Sequence, residues 1–442
     1  MTEATKAQEQ LAAGRLAELV DQLWQRIRIE WRFASAELSN SFRTHRELGA
    51  NDRRAVAETL YGMIRQHRRV DFALEGAGPL GAGDTRDSLR RLAYLVVCGG
   101  LESDTANQLA PGIDWERVAA VDQRIAAERS EVRRLALSAS LPDWLAESLI
   151  AIEGGPTLAA ALNQRAPMTA RVNTLKCDRD SLAASLASDG FATEPGRFTP
   201  TALHFTTRTN LFALPQFRAG LFEAQDEGSQ LIAELVAPPP KGRVVDFCAG
   251  AGGKTLALAA AMSNKGRVVA ADVASKKLVE LRKRARRAGV DNAQVVEIES
   301  DRLAPLPKSL AALEGRAHRV LVDAPCSGLG ALRRNPEAKW RLMPSDLERF
   351  PKLQLEICER ALSLVASGGR LVYATCTLLA AENIGVVDTL LQRHPGLEVM
   401  SPIEIWGRER AAEVCDASER FLEVRPDRHG TDGFFAAVLR RR

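Results

Sequence analysis

The stretch from Arg243 to Met262 constrains the fold of this chain more than any other. An apolar run, Arg243 to Phe247, leads into a glycine-rich loop, Cys248 to Thr255, and then into an Ala- and Leu-rich run with helix-forming composition. Glycines let the backbone turn sharply and approach a ligand closely, and the N-terminus of the following helix favours negative groups. A strand, a glycine loop and a helix in this order predict an open α/β sheet with a ligand site at the carboxyl ends of its strands.

Two familiar phosphate-binding patterns can be tested against this loop. A Walker A loop needs a glycine five positions before Gly253, where this chain has Cys248. The dinucleotide pattern, started at Gly250, needs glycine or alanine at position 255, where this chain has Thr255. Because neither pattern fits, the loop predicts a site for a mononucleotide-type ligand.

Acidic residues end the strands that follow the loop. Asp272 ends the predicted strand Val268 to Asp272 and lies 22 positions beyond Gly250, close to the spacing at which a carboxylate meets ribose hydroxyls. Asp301 and Asp323 follow two further apolar runs. Such a row suits a ligand with adenosine hydroxyls, an exocyclic amine and a cationic centre, which together describe S-adenosylmethionine.

Asp301 has two other interpretations. An acid that follows a strand is commonly a helix cap or a solvated loop residue. Its neighbours Glu297 and Glu299 could also take its place in the row.

Two cysteines each follow an apolar run that predicts a buried strand. Cys326 follows the run Val320 to Val322, and Cys376 follows the run Arg370 to Tyr373. Because side chains at the carboxyl ends of parallel strands converge on one crevice, we expect both thiols to face a common pocket. The pair predicts thiol chemistry, but spacing alone does not assign roles to the two residues. Buried packing is the simpler interpretation for four other cysteines: Cys98, Cys177, Cys358 and Cys415.

Several ordered motifs, spread from about Arg165 to the C-terminus, carry a family resemblance. They are Arg171 to Lys176, Gln225 to Gln230, Asp246 to Thr255, Asp323 to Gly328, Arg333 to Pro336, Ala374 to Thr377 and Asp432 to Phe435. In these motifs the chain resembles the Sun/Nop2 family of RNA cytosine-5 methyltransferases, and within it the bacterial branch that methylates 16S ribosomal RNA. One departure is Gly250-Ala251, where the family loop usually has Ala-Pro. Because proline fixes a backbone angle and glycine frees one, we expect a softer loop that keeps its site.

The resemblance implies an α/β Rossmann-like class I methyltransferase domain that binds S-adenosylmethionine. It implies cofactor contacts by residues of the loop and of the strand ends: Cys248, Ala249, Gly250, Ala251, Gly252, Gly253, Lys254, Asp272, Asp301 and Asp323. We expect the Cys248 thiol to take no part in catalysis.

The resemblance also gives roles to the two strand-end thiols. Carbon 5 of cytosine is too poor a nucleophile to attack a methyl group, but addition of a thiolate at carbon 6 produces an enamine that can. Afterwards the carbon-5 proton must leave and the thiolate must be expelled. The resemblance implies attack by Cys376, release by Cys326, and Asp323 near the base ring. Since Pro325-Cys326 also resembles the nucleophile motif of DNA cytosine-5 methyltransferases, the reverse assignment stays open.

The remaining sequence predicts two further domains. Residues 1–150 carry helical apolar stripes, one of them after the candidate cap Asn51. They resemble the all-α NusB-like RNA-binding domain of the bacterial branch, although a plain helical packing domain fits the sequence nearly as well. Residues 151–220 predict a small α+β module, for which the resemblance implies an RRM-like insert, and residues 221–442 predict the methyltransferase domain.

Cysteine usage indicates the compartment. The 442 residues contain seven cysteines and no C-x-x-C pair, so we expect a cytoplasmic protein without disulfides or a metal site. There is no signal-peptide pattern and no run of eighteen apolar residues, so we expect no membrane span. We also expect a monomer.

The net charge of +4 is too small to indicate a partner, but local basic clusters suit RNA phosphates. These clusters are Arg65 to Arg69, Lys276 to Arg287 and Arg333 to Arg341. The second cluster fits an amphipathic helix, so a solvated helix face explains it equally well.

Three functions fit the sequence. The first is S-adenosylmethionine-dependent methylation of cytosine C5 in 16S ribosomal RNA, and the second is the same reaction on tRNA or another RNA. The third is a non-catalytic RNA-binding assembly factor that retains the fold. Because both cysteines, the acids and the loop lysine are in place, the third is disfavoured. The NusB-like start favours ribosomal RNA over tRNA, but by analogy only.

Overall fold

The computed structural model describes residues 3–301 and 304–442. Its α-helices are α1 (Glu3–Ala12), α2 (Arg15–Arg28), α3 (Ala34–Thr44), α4 (Ala50–Leu74), α5 (Asp84–Cys98), α6 (Ser103–Leu109), α7 (Trp115–Ala119), α8 (Val121–Ala126), α9 (Glu131–Ser138), α10 (Asp143–Ile150), α11 (Gly155–Leu162), α12 (Arg179–Ser188), α13 (Pro215–Arg218), α14 (Glu227–Leu235), α15 (Gly253–Ala261), α16 (Ser275–Ala288), α17 (Lys308–Ala311), α18 (Ala338–Arg341), α19 (Asp346–Leu362), α20 (Ile384–Arg393), α21 (Ile403–Trp406), α22 (Arg408–Ala411) and α23 (Pro426–His429). Its strands are β1 (Met168–Val172), β2 (Thr193–Pro195), β3 (Ala202–Phe205), β4 (Phe222–Ala224), β5 (Arg243–Asp246), β6 (Arg267–Asp272), β7 (Ala293–Glu297), β8 (Ala317–Asp323), β9 (Val365–Thr375), β10 (Leu397–Met400), β11 (Leu422–Val424) and β12 (Phe434–Arg441). In the two described ranges, no helix combines the length and the apolar character that a membrane crossing requires.

The chain forms two compact units. The first contains the residues up to Arg165 together with Leu332–Pro344, and the second contains Ala166–Ala331 together with Ser345–Arg442. The second unit contains a four-stranded antiparallel sheet formed by β1 to β4. Its strand β4 lies beyond residue 220, which was the predicted end of the small α+β module. The three-domain division stays a prediction.

The first unit is helical around one apolar core. In α2, Leu19, Leu23 and Ile27 are buried on one face and form an apolar stripe, whereas Phe33, which continues the same spacing in the sequence, is exposed and precedes α3. The prediction that Asn51 caps α4 is wrong. Gly49 holds the cap position with extended backbone, and its carbonyl accepts a hydrogen bond from the Arg53 N–H at 3.1 Å, so Asn51 lies inside the first turn.

The segment Leu332–Pro344 is packed into this helical unit by buried contacts. The Lys339 side chain is 2% exposed, and its Nζ donates to the carbonyl of Arg65 at 2.8 Å. The Trp340 ring stacks on Trp31 with ring centroids 5.6 Å apart. Burial lowers the pKa of Lys339 well below its ordinary value. The interpretation of Arg333 to Arg341 as a phosphate-binding cluster is therefore wrong for Lys339, which is packed and does not face solvent.

The second unit contains a mixed eight-stranded sheet with the order β10-β12-β9-β8-β5-β6-β7, and β11 pairs with β12. Strands β5 to β9 are parallel, and β12 runs antiparallel to β9. The direction of strand order reverses between β5 and β8, which is the switch point where ligands bind in open α/β sheets. This arrangement confirms the predicted Rossmann-like fold.

The core strands are apolar on both sides because helices cover both faces. In β5, Val244 packs with α14 and α15, whereas the next residue, Val245, points to the opposite face, where α19 and α20 pack. Adjacent strands β6, β8 and β9 repeat this alternation. The glycine loop and the two cysteines therefore leave the sheet at ends whose positions are fixed by buried strands.

A four-stranded antiparallel sheet of order β2-β3-β1-β4 forms the small α+β module. Leu182 and Leu186 of α12 pack on it, against Ala170, Val172 and Phe222.

Candidate active site

The predicted site residues lie at the carboxyl ends of the central strands. Asp246 ends β5, Asp272 ends β6 and Asp323 ends β8. Cys376 follows the last residue of β9, and Asp323 pairs with Ala374 of that strand. The parallel register thus brings residues that are far apart in sequence to one edge of the sheet.

The two strand-end thiols are neighbours, as predicted. The sulfur atoms of Cys326 and Cys376 lie 3.4 Å apart. The hydrogen bond with Cys376, together with burial and the nearby Glu382 carboxylate, raises the pKa of the Cys326 thiol well above its ordinary value. Cys326 therefore stays protonated and can donate its proton toward the Cys376 sulfur.

The glycine loop adopts a conformation that few other residues would tolerate. Gly250 and Gly252 have φ angles of +54° and +87°, in the left-handed region that glycine tolerates best. At Gly252 a Cβ atom would lie 2.5 Å from Leu281, so a larger residue would not fit. Asp272 holds the loop at Gly250, because its Oδ2 accepts a hydrogen bond from the Gly250 N–H at 2.7 Å.

Lys254 and Asp323 form an ion pair beside the loop, with Nζ and Oδ2 2.6 Å apart. Burial alone would lower the pKa of Lys254, but the Asp323 carboxylate outweighs it and raises the pKa. The Cys376 sulfur acts in the same direction. Lys254 thus remains a cation close to the Cys376 sulfur.

Asp246 is a buried carboxyl group in the same pocket. Its side chain accepts a hydrogen bond from the Thr255 hydroxyl at 2.7 Å through Oδ2, while Oδ1 has no partner among the described residues. Burial, opposed by the Thr255 hydrogen bond, raises the pKa of Asp246 to about 7. Nearby Asp323 also raises it. The sequence reasoning placed Asp246 in a motif but gave it no role.

A cavity of about 690 Å³ opens at this edge of the sheet, a size typical of small-molecule sites. The predicted site residues that line it are Cys248, Ala249, Gly250, Ala251, Gly253, Lys254, Asp272 and Asp323. Gly252 packs behind the loop against Leu281. The two catalytic cysteine candidates adjoin this cavity through Pro325, which lines it.

The structure places Asp301 outside the residues that line this cavity. Strand β7 ends at Glu297, and the chain continues so that Glu299 and Ser300 line the cavity instead. Asp301 lines an adjoining cavity of about 670 Å³ that shares Glu299 and Ser300 with the first. Of the two alternatives to Asp301, Glu299 lines the cavity, and the cofactor contact by Asp301 stays a prediction.

The Cys248 thiol is buried beneath the loop. Burial raises the pKa of this thiol well above its ordinary value, and the carboxylates Asp272 and Asp246 add to the effect. A thiol held in its protonated form is a poor nucleophile, which agrees with the expectation that it takes no part in catalysis.

Sequence reasoning missed residues that support the loop from behind. Arg284, in α16, donates through Nη1 to the Ala251 carbonyl at 2.8 Å. Glu223, which is 2% exposed, accepts hydrogen bonds from both Arg284 and Arg287. Two arginines of the predicted basic cluster thus turn inward, and the K/R-rich pattern gave no signal that distinguished them from solvated neighbours. Gln225, from the end of β4, completes this wall of the cavity.

The switch-point cavity, the glycine loop and the strand order define a class I methyltransferase. Residues 233–440 match the family model described as 16S rRNA methyltransferase RsmB/F, and residues 141–211 match the ferredoxin-like domain of the same group. The chain belongs to this family of ribosomal RNA methyltransferases.

Comparison with individual proteins supports this family membership. The probable ribosomal RNA small subunit methyltransferase B of Synechocystis is 31% identical over 89% of this chain and 92% of its own length. The corresponding Bacillus subtilis protein is 32% identical over 70% of this chain and 68% of its own. The crystal structure of PH0851 superimposes with a TM-score of 0.73 at 26% identity, covering 92% of this chain and 94% of its own. Members of the family use S-adenosylmethionine.

Proposed function

We propose that this protein uses S-adenosylmethionine to methylate carbon 5 of a cytosine in 16S ribosomal RNA, through a covalent bond between Cys376 and carbon 6. The observation that carries the proposal is the pair of thiols, 3.4 Å apart, at the ends of β8 and β9. Transfer to an amine or a hydroxyl needs no thiol, because those groups are already nucleophilic. Carbon 5 needs one to activate it and a second group to release it.

The cavity fits S-adenosylmethionine. When bound, this cofactor supplies an electrophilic methyl group. Asp272 lies 22 positions beyond Gly250, the spacing expected of a carboxylate that binds ribose hydroxyls. Its two oxygens accept hydrogen bonds from the Gly250 and Ala274 N–H groups, and each oxygen can still accept another. Apolar side chains such as Val273 and Ile298 line the cavity, and so does the buried Asp246.

The two thiols have different roles. The Cys376 thiolate, beside the Lys254 cation, adds to carbon 6, and the displaced electron pair makes carbon 5 the nucleophile. Once carbon 5 carries the methyl group, Cys326 passes its proton to the departing Cys376 sulfur and accepts the carbon-5 proton. The carbon–sulfur bond breaks, the double bond re-forms and both thiols are regenerated. Asp323, fixed by Lys254 at 2.6 Å, is the candidate contact to the base ring.

Trapping of the covalent adduct tests these roles. With S-adenosylmethionine and a 16S RNA transcript, we expect Cys326→Ala to accumulate a protein–RNA adduct, because attack proceeds while release stalls. Cys376→Ala should form none. Cys98→Ala, which removes an exposed thiol of the helical unit, is the matched control and should turn over like the unaltered protein. Equal adduct yields from the Cys326 and Cys376 variants would refute the assignment.

The RNA substrate is tested in the same assay. The Synechocystis and Bacillus subtilis relatives are both named as probable small-subunit ribosomal RNA methyltransferases, which supports 16S RNA. We expect the Cys326→Ala adduct to form with the 16S transcript and not with tRNA. Adduct with tRNA alone would show that the chemistry is right and the substrate wrong.

A further inference from the structure

Glu382 is a buried carboxylate that the reaction above does not use. It is fully buried at the end of a 3-10 turn, Ala380–Glu382, shortly after Cys376. Its Oε2 accepts hydrogen bonds from the Ser327 N–H and from Gln354 Nε2, both at 2.9 Å. Its Oε1 accepts from the Thr377 hydroxyl at 3.2 Å. In all three contacts the carboxylate oxygens of Glu382 are the acceptors.

The partners of Glu382 are the residues next to the two thiols. Ser327 follows Cys326, and Thr377 follows Cys376. The hydroxyl oxygens of Ser327 and Thr377 also lie 2.8 Å apart, in hydrogen-bond contact. One carboxylate therefore joins two loops that belong to different strands.

Gln354 extends this connection to the other side of Cys326. Its Nε2 also donates to the carbonyl of Pro325 at 3.1 Å, and its Oε1 accepts from the Tyr373 hydroxyl. The Tyr373 hydroxyl in turn contacts the backbone carbonyl of Glu382. The residues on both sides of Cys326 are thus held by groups that Glu382 organises.

We propose that Glu382 is a positioning residue whose buried carboxylate ties the Cys326 loop to the Cys376 loop and so sets the separation of the two thiols. This inference rests on the proposed function for its catalytic consequence. The claim that Glu382 sets the distance between the two thiols does not depend on the reaction. Because a buried carboxylate is stable only when its oxygens are satisfied, loss of the tie should let both loops relax.

The separation of the thiols can be measured without catalysis. Diamide, a diazene, takes one hydrogen from each of two thiols, becomes a hydrazine and leaves a disulfide. Its rate of closing the Cys326–Cys376 pair in the full-length protein, followed by peptide mass mapping, reports how often the sulfurs meet. We expect Glu382→Met, which is similar in length but makes none of these hydrogen bonds, to slow closure on the order of tenfold. Glu382→Gln can still accept from Ser327 and can donate to Thr377, so it should restore most of the rate.

The catalytic consequence is measured in parallel. For methyl transfer to the 16S transcript, Glu382→Met should lower kcat about 100-fold, as expected for a displacement near 1 Å, and leave KM for RNA and the Kd of S-adenosylmethionine unchanged. Thr377→Val removes the hydrogen bonds of the Thr377 hydroxyl to Glu382 and to Ser327. We expect it to slow disulfide closure and to lower kcat less than Glu382→Met does, and it serves as the test if Glu382→Met does not fold. Asp388→Asn, on the exposed side of α20, is the matched control.

The outcomes separate the two proposals. Wild-type closure rates in Glu382→Met and Thr377→Val would overturn the positioning role, whatever the activity. If the unaltered protein methylates no RNA while the variants still slow disulfide closure, the proposed function fails and the positioning role stands. A fall in cofactor affinity equal to the fall in kcat would also count against positioning, because it would indicate general damage to the domain.

Discussion

The buried carboxyl group of Asp246 makes the stability of the protein depend on pH in a direction opposite to that of an ordinary paired acid. In the folded protein its pKa is about 7, whereas an exposed aspartate has a value near 3.8, and burial is the main cause. Between these values the unfolded chain has released the proton and the folded chain has kept it. Stability must therefore fall as pH rises from about 4 to about 7.

The size of this loss follows from the two pKa values. Each pKa unit corresponds to about 1.4 kcal/mol, so complete titration costs the folded state about 4 kcal/mol. Between pH 5 and pH 8 the loss is about 2 to 3 kcal/mol. In a domain of roughly 250 residues this corresponds to a change in Tm of about 5 to 10 °C. Asp246→Asn removes the titration and keeps an oxygen that can accept the hydrogen bond from Thr255.

The assay compares thermal unfolding of the cofactor-free protein and of Asp246→Asn at pH 5 and pH 8. We expect the variant to lose less stability than the unaltered protein over this interval, by the amount given above. Thr255→Val should act in the opposite direction, because it removes the hydrogen bond that favours the ionised carboxylate. Asp388→Asn, at an exposed position, controls for the loss of one acid. If Asp246→Asn loses as much stability as the unaltered protein between the two pH values, the buried-acid reasoning is wrong.

Two further predictions concern the cofactor loop and are measured by calorimetry with S-adenosylmethionine. Asp272→Ala should weaken binding on the order of tenfold or more, because it removes charged acceptors from the ribose position; unchanged affinity would discredit that assignment. Arg284→Gln should weaken binding several-fold, because it releases the Ala251 carbonyl. Arg286→Gln, at a nearby exposed position, is the control and should leave binding unchanged. Adding Ala251→Pro to Arg284→Gln should recover affinity, and failure to do so would count against loss of loop order as the cause.

The strand ends could be predicted because the signals that specify them are local. An apolar run followed by a glycine, proline or acid marks the end of a buried strand, and the parallel sheet then brings such ends together without further information. Cys326 and Cys376, fifty positions apart, meet for this reason. Asp301 lines the adjoining cavity because it lies beyond Glu297, the last residue of its strand, where no periodicity determines the path of the chain.

Buried charges could not be predicted because their partners come from distant segments. Glu223 lies 61 positions from Arg284, and Lys339 lies 274 positions from Arg65, so no local pattern distinguishes these residues from solvated ones. A run rich in lysine and arginine predicts a surface helix. Only the fold reveals which members of the run turn inward.

The cofactor loop shows how a local departure can be offset by such a distant partner. Replacement of the usual Ala-Pro by Gly250-Ala251 removes a fixed backbone angle, and by itself this predicts a softer loop. In the structure the Ala251 carbonyl is held by Arg284, and Glu223 holds Arg284 in turn with an oxygen 3.0 Å away. Because proline restricts a backbone angle and a hydrogen bond restricts a carbonyl, each reduces the freedom that the loop must lose when a ligand binds. The softer loop was expected from the loop sequence alone and stays a prediction. In the folded protein, part of the lost constraint is supplied by a side chain of α16.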